Sequence, residues 1–457
     1  MNKTLYLLAL ICLFIFGCKS SNKDQLSRRL SKTAVERDLS IFTEILEKEH
    51  PSLYLYISPD RLKKMINDIR SSSSDGITFQ EFYNKLSLVI NEIGCSHTDI
   101  DIPDDIYDSL NKRKYFFPYP VLWIDHRLIV NAVGYDLPEG TEIKKVNGEP
   151  VRVIMDNLMT YNPVEGNHRN VQKELAADRF AIEYFFKYGK QNNFDLEVID
   201  TTGRFKLQKE KPITLSETYQ RKNNDRYYYD RTDVNYDFHI KSDPNLHCAY
   251  MAVHTFSFEG QQKQEAYENF CYYSFQLLSY RKDIKNLIID LRENSGGSLY
   301  NAFVLFSYLS KGSYKEFEAA ATRVNKVYYP EYLDLSYMDT NTDTINNRMK
   351  SWFTNRVNKD YYLMTDSLIE TWEPFKFHFD GNIYVITNRK VMSAASYFAT
   401  LVKNSGVGKL VGAETSGGSS SGNAYTTLYY SLPESGIRLY FPYAHIVYSY
   451  KDKINTG

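Results

Sequence analysis

Apolar residues along the first third of the chain recur at helical spacing. Leu39, Phe42, Ile45 and Leu46 form one set and Leu62, Met65, Ile66 and Ile69 a second. Thr33-Ala34-Val35-Glu36 has the form of a capping box ahead of the first set, and His50-Pro51 ends that helix. Ser58-Pro59 opens the second with proline in the first turn, and the serine run 71–74 breaks it. A third helix starts at the capping box Thr78-Phe79-Gln80-Glu81, with Ile77 and Phe82 placed as a hydrophobic staple. It runs out at Gly94, a stop signal that presents Ser96 and His97 just beyond the helix end. This spacing predicts a helical domain over 33–112, after a polar tether at 19–32.

From about residue 116 the period shortens to that of strands, at 119–124, 128–133 and 140–151, the last carrying the hairpin signal Asn147-Gly148. This region, 113–205, resembles a PDZ domain, whose exposed sheet edge accepts a peptide as an added strand. Residues 206–244 are polar and tyrosine-rich without a firm period and read as a connector. From 245 to 457 strands and helices alternate, with strands at 248–253, 286–292, 383–387 and 409–412 and helices at 265–280 and 299–309. The apolar run Ile383-Tyr384-Val385-Ile386-Thr387 passes through Asn388-Arg389-Lys390-Val391-Met392 into Ser393-Ala394-Ala395-Ser396, a strand, a tight loop and a helix with Ser393 at its start. The class is α/β, and there is no internal repeat.

Composition adds bounds rather than detail. The chain has 457 residues, 43% of them hydrophobic and 24% charged, which describes a folded protein of about two to three domains. A net charge of -1 with no basic patch gives no reason to expect nucleic acid. The 39 tyrosines suit cores first, and peptide or glycan surfaces second. Lys3, the apolar run 5–16 and Gly17-Cys18 read as a bacterial lipoprotein signal over 1–18, with Cys18 the acylated first residue of the mature chain; an ordinary signal is the alternative. That expectation puts the protein at the bacterial cell envelope, lipid-anchored to a membrane and periplasmic or surface-exposed. Once Cys12 is removed and Cys18 acylated, Cys95, Cys248 and Cys271 remain, and their spacing makes neither a disulfide framework nor a zinc motif.

Local readings of the chemistry stay divided. A serine at a helix start most often caps the helix. It also sits where free N–H groups and the helix dipole stabilise developing negative charge, a good place for a nucleophile. Asp290-Leu291-Arg292-Glu293-Asn294-Ser295-Gly296-Gly297 before a helix either exposes N–H groups or makes a tight turn. Taken alone, His97 reads as structural and Ser96 as a turn residue.

Three separated pieces coincide, however: Gly94-Cys95-Ser96-His97-Thr98, the 290–297 stretch, and Ser393-Ala394-Ala395-Ser396 followed by Gly412-Ala413-Glu414-Thr415-Ser416-Gly417-Gly418. Together they resemble the tail-specific (C-terminal processing) protease and tricorn-core family of serine peptidases. The resemblance implies a crotonase/ClpP-like catalytic core beside the helical and PDZ-like domains. The Ser/Lys branch carries its lysine in the glycine-rich turn, which here reads Ser416-Gly417-Gly418-Ser419. Lys403 lies ten residues, about 15 Å, along the helix from Ser393. Ser96-His97 matches the tricorn-like Ser/His branch instead.

The resemblance then implies Ser393 as nucleophile, His97 as general base and acid, Ser96 as an orienting residue, and an oxyanion hole from the N–H of Ala394 and of Gly296 or Gly297. Two departures stand out. The family's glutamate three residues after the nucleophile is Ser396, and no late acidic residue convincingly completes a tetrad before Gly457; Asp452 comes close to the end, and a truncated chain is one expectation. The implied function is a serine peptidase acting on peptides or unfolded segments through an acyl-enzyme, with no cofactor and no metal. Its rivals are an inactive peptide-binding relative and a binder of an apolar ligand or glycan.

Overall fold

The computed structural model describes residues 25–223, 235–241, 245–338, 340–357 and 359–449. The expected signal segment with Cys18, and Asp452, lie outside the described residues.

Helices Lys32–Glu49, Pro59–Ser71 and Phe79–Ile93 pack through the apolar positions expected of them, with Leu39, Phe42, Ile45, Leu62, Ile66, Phe82 and Leu86 buried. Two of the expected starts are found. Ser58 Oγ accepts from the Arg61 N–H, and Thr78 and Glu81 make a reciprocal capping box. The first start is different: Ser31, not Thr33, takes the Ala34 N–H, so the helix begins two residues earlier. Gly94 ends the third helix at φ 68°, a left-handed cap that glycine adopts without steric cost.

Next comes an antiparallel sheet ordered Val121–Ile124, Arg127–Val130, Glu142–Val146, Phe194–Ile199 and Phe205–Glu210. Asn147 and Gly148 both have positive φ, as a tight hairpin turn requires. Helices Val151–Leu158, Arg169–Asp178 and Phe180–Tyr188 follow the third strand. The stretch 206–244, expected as a connector, is more than that. It completes the strand Phe205–Glu210, forms the helix Leu215–Asn223 and supplies Tyr236–Ile240 as an edge of the next sheet. Its strand was hidden because Phe205, Lys206 and Leu207 are all exposed, leaving no alternation to read.

The central sheet runs Tyr236–Ile240, Cys248–Val253, Asn286–Asp290, Asn382–Thr387 and Lys409–Gly412; the first pairing is antiparallel and the rest parallel. Helices Gln261–Tyr280, Leu299–Ser307 and Ser393–Ser405 connect its strands. Parallel strands covered by helices are buried on both faces, so they read as unbroken apolar runs. That is how Leu287, Ile289, Ile383 and Val385 come to be buried.

A second, six-stranded sheet is built on the long hairpin Ser421–Ser431 and Arg438–Val447. One of its members comes from far upstream: Asp99–Asp101 pairs antiparallel with 438–440, with Ile100 opposite Leu439. The segment that follows His97 is thereby fastened to the C-terminal hairpin. Among the described residues no helix is long and apolar enough to cross a membrane.

Candidate active site

Ser393 is the first residue of its helix, has φ 51° and gives that helix no side-chain cap; the capping position belongs to Met392. The capping reading therefore fails. A left-handed φ costs a non-glycine residue about 1–3 kcal/mol and persists where the surroundings over-determine it. Those surroundings are explicit. A Cβ on Gly296 would lie 2.6 Å from Ser393 Cβ and 3.0 Å from the Met392 carbonyl oxygen. The Met392 N–H donates to the Asn294 carbonyl at 3.2 Å. The strand-to-helix turn and the glycine loop are thus built against each other.

The glycine loop has its own bracing. Asp290 accepts from Arg292 and from the Tyr250 hydroxyl, the latter at 2.7 Å. Asn294 is fully buried; its Nδ2 donates to the Val253 carbonyl at 3.0 Å and its Oδ1 accepts the Gly296 N–H at 2.9 Å. That bond separates the two glycines that the sequence left equivalent. The Gly296 N–H is committed to Asn294, whereas neither the Gly297 nor the Ala394 N–H has an acceptor among the described residues. Gly297 is held by the backbone of Phe256, where a Cβ would meet carbonyl carbon and amide nitrogen at 2.3 Å.

His97 and Ser96 sit in the turn between the third helix and the strand Asp99–Asp101. The structure brings His97, Gly297, Ser393 and Ala394 to one cavity of about 400 Å³, whose walls include Tyr300, Tyr425 and Tyr448. Burial pushes the His97 imidazole down to about 4, so it is neutral and able to accept a proton at neutral pH. Its Nδ1 lies 3.1 Å from Ser96 Oγ, and Ser96 Oγ donates in turn to Glu165 Oε1 at 3.3 Å. The Ser96 N–H reaches the same carboxylate oxygen at 3.4 Å. Glu165 is raised to about 7 by burial, an effect that its hydrogen bonds from Ser96 oppose.

Glu165 is the residue that sequence reasoning missed. It stands 69 residues from Ser96, in a short turn with no periodic signal, and is docked there by the Gly166 N–H donating to the Gly94 carbonyl at 3.1 Å. The resemblance points to an acidic residue late in the chain, whereas this one comes from the first half.

The serine in place of the family's glutamate and the glycine-rich turn without a lysine both have physical counterparts. Ser396 is buried and donates to the Val391 carbonyl at 3.0 Å, while a Cβ on Gly417 would lie 2.6 Å from its Oγ, so the glycine-rich turn packs directly on this hydroxyl. Lys403 lies in the last turn of the helix that Ser393 begins, and Ser416 in the glycine-rich turn donates to the Arg389 carbonyl.

These features define a mixed α/β protein with a serine and a neutral histidine at one cavity beside two unoccupied backbone N–H groups. Residues 247–455 match the model described as peptidase family S41. Among solved structures, mature CPAF complexed with lactacystin is similar at 15% identity over 90% of each chain, with a TM-score of 0.60. A serine-to-alanine mutant of CPAF is similar at 14% identity over 93% of this chain and 91% of that one, also with a TM-score of 0.60. The photosystem II D1 C-terminal processing protease is a more distant likeness, at 10% identity over 90% and 88% of the two chains and a TM-score of 0.40. No curated protein matches the chain.

Proposed function

We propose that this protein is a serine peptidase that hydrolyses peptide bonds in peptides or unfolded segments through an acyl-enzyme. The observation that carries the reading is Ser393 held at φ 51° on a helix start, at the same cavity as the neutral His97. A serine hydroxyl is a weak nucleophile until a neighbouring base takes its proton. His97 accepts the Ser393 proton as Oγ attacks the scissile carbonyl carbon, then returns it to the leaving amine as the C–N bond breaks. Water, deprotonated by the same ring, hydrolyses the ester. Gly297 and Ala394 donate their N–H groups to the oxyanion, each worth about 2.7–4 kcal/mol of barrier. Ser96 and Glu165 are positioning residues: the chain from carboxylate through hydroxyl to Nδ1 sets the ring orientation and steadies the imidazolium that forms.

Two finer readings accompany this one. The sheet at 121–210 acts as a PDZ-like peptide platform, supported by a cavity of about 400 Å³ that its edge strand Val121–Ile124 shares with Glu174, Asp178, Glu293, Arg389 and Lys390. The leading segment acts as a lipoprotein signal, so Cys18 carries the anchor at the cell envelope; Cys18→Ser should release the protein from membranes and abolish palmitate labelling.

The test of the central reading is fluorophosphonate labelling of the purified protein beside Ser393→Ala and His97→Ala. Labelling that both substitutions abolish is the expected result. A well-folded protein that does not label sinks the reading. Lactacystin, which CPAF binds in its complex, serves as a second probe of the same serine.

A further inference from the structure

The loop after the third helix holds a second set of groups beside the proposed base. Cys95 Sγ, a ring nitrogen of His97 and a carboxylate oxygen of Glu165 all lie within 4.8 Å of one another. We propose that Cys95, His97 and Glu165 form a binding site for one borderline-soft divalent cation of the zinc type, and that its occupancy switches the peptidase off.

The donor set selects the ion. One sulfur, one imidazole nitrogen and one carboxylate oxygen suit zinc, whereas magnesium and calcium take oxygen ligands almost alone. Tetrahedral zinc with these donors separates them by roughly 3.5 Å, so closure needs a contraction of about an ångström, within reach of side-chain rotation. The frame is already set. Gly166 N–H to Gly94 carbonyl, at 3.1 Å, fixes the Glu165 turn against the Cys95 loop, and Asn423 Nδ2 approaches Cys95 Sγ at 3.1 Å from the hairpin side. His97 lines the cavity, which gives the ion an entrance and leaves a fourth position for water. On binding, the Cys95 thiol proton passes to solvent as sulfur takes the metal.

The consequence for His97 does not depend on which nitrogen is used. An ion on Nε2 occupies the lone pair that would take the serine proton, and an ion on Nδ1 confines the ring proton to Nε2. Either way the ring cannot act as base. Metal binding itself follows from the donor geometry; only this inhibitory consequence rests on the peptidase reading.

The experiment is a cobalt(II) titration of the metal-free full chain, following the near-ultraviolet thiolate-to-cobalt charge-transfer band. One equivalent should saturate it and zinc should erase it. Cys95→Ser should remove the band, which distinguishes this thiol from the other two buried thiols, Cys248 and Cys271. Glu165→Gln should retain the band but weaken affinity about tenfold or more. Near-ultraviolet circular dichroism checks that each variant is folded. A folded wild-type protein without the band, or a band that survives Cys95→Ser, overturns the site. Zinc should also suppress fluorophosphonate labelling of the wild type and, measured against the variant's own slower metal-free rate, do so far less in Glu165→Gln; undiminished labelling of the zinc-loaded wild type overturns the switch. A cobalt band on a protein whose serine never labels supports the site and rejects the peptidase reading instead.

Discussion

Ser393, His97 and Ser96 stand out as candidates in the sequence because each lies inside a short motif whose members are neighbours in the chain. Glu165 was not, since nothing in its local sequence distinguishes it from a solvated glutamate and its meaning comes only from the Ser96 hydroxyl 3.3 Å away. Its effect should be separable from binding. Glu165→Gln and Ser96→Ala are each expected to lower kcat by roughly one to two orders of magnitude with KM nearly unchanged, in steady-state hydrolysis of a fluorogenic peptide; replacing the acid of a direct triad costs about 10⁴. A rise in KM with kcat intact would assign both residues to substrate contact. The choice between the two glycines was likewise closed to sequence, because it turns on Asn294 Oδ1 taking the Gly296 N–H. Gly296→Ala, at φ 105° with its added Cβ 2.6 Å from Ser393 Cβ, should abolish labelling even in preparations that remain folded by circular dichroism.

At the scale of elements, the helices were read well where apolar spacing and caps agreed, as at Thr78 through Gly94. The first cap was misplaced because Thr33 and Glu36 imitate a capping box inside a helix that Ser31 already starts. The pairing of Asp99–Asp101 with 438–440 could not be read at all, since a short strand reveals its partner only in the folded sheet. That pairing carries the segment with His97. Ile100→Pro removes the N–H that donates to Asp99 Oδ1 at 2.8 Å and clashes in the strand, so it should cut the labelling rate at least about tenfold while His97 and Ser393 remain present. Wild-type labelling in that variant would show that the loop is held from its helical side alone.

Across the whole molecule, the tyrosine surplus is partly a matter of core: Tyr267, Tyr397, Tyr430 and Tyr443 are fully buried. One of them meets an acid that crosses between regions. Glu49, at the end of the first helix, accepts the Tyr430 hydroxyl at 2.6 Å and the Tyr328 and Tyr329 N–H groups at 3.0 and 3.2 Å. Burial outweighs these bonds and raises Glu49 from 4.5 to about 7. A carboxyl whose folded-state value lies above its unfolded one contributes stability that is full below pH 4.5 and lost as pH climbs through 7. The difference corresponds to roughly 3 kcal/mol. Thermal unfolding should therefore occur at a lower temperature at pH 8 than at pH 5, and Glu49→Gln should flatten that dependence; a steeper slope in the variant would reverse the sign assigned here.

Because the loop with His97 is anchored by a hairpin made hundreds of residues later, the order of synthesis matters. A ribosome delivers the histidine early, then the glycine loop, then the serine, and the hairpin that secures the first of these after all of them. During its own manufacture the chain thus carries every reactive part without a working assembly. On the proposed function, a newborn polypeptide gains the fastening of its His97 loop only once that hairpin is made.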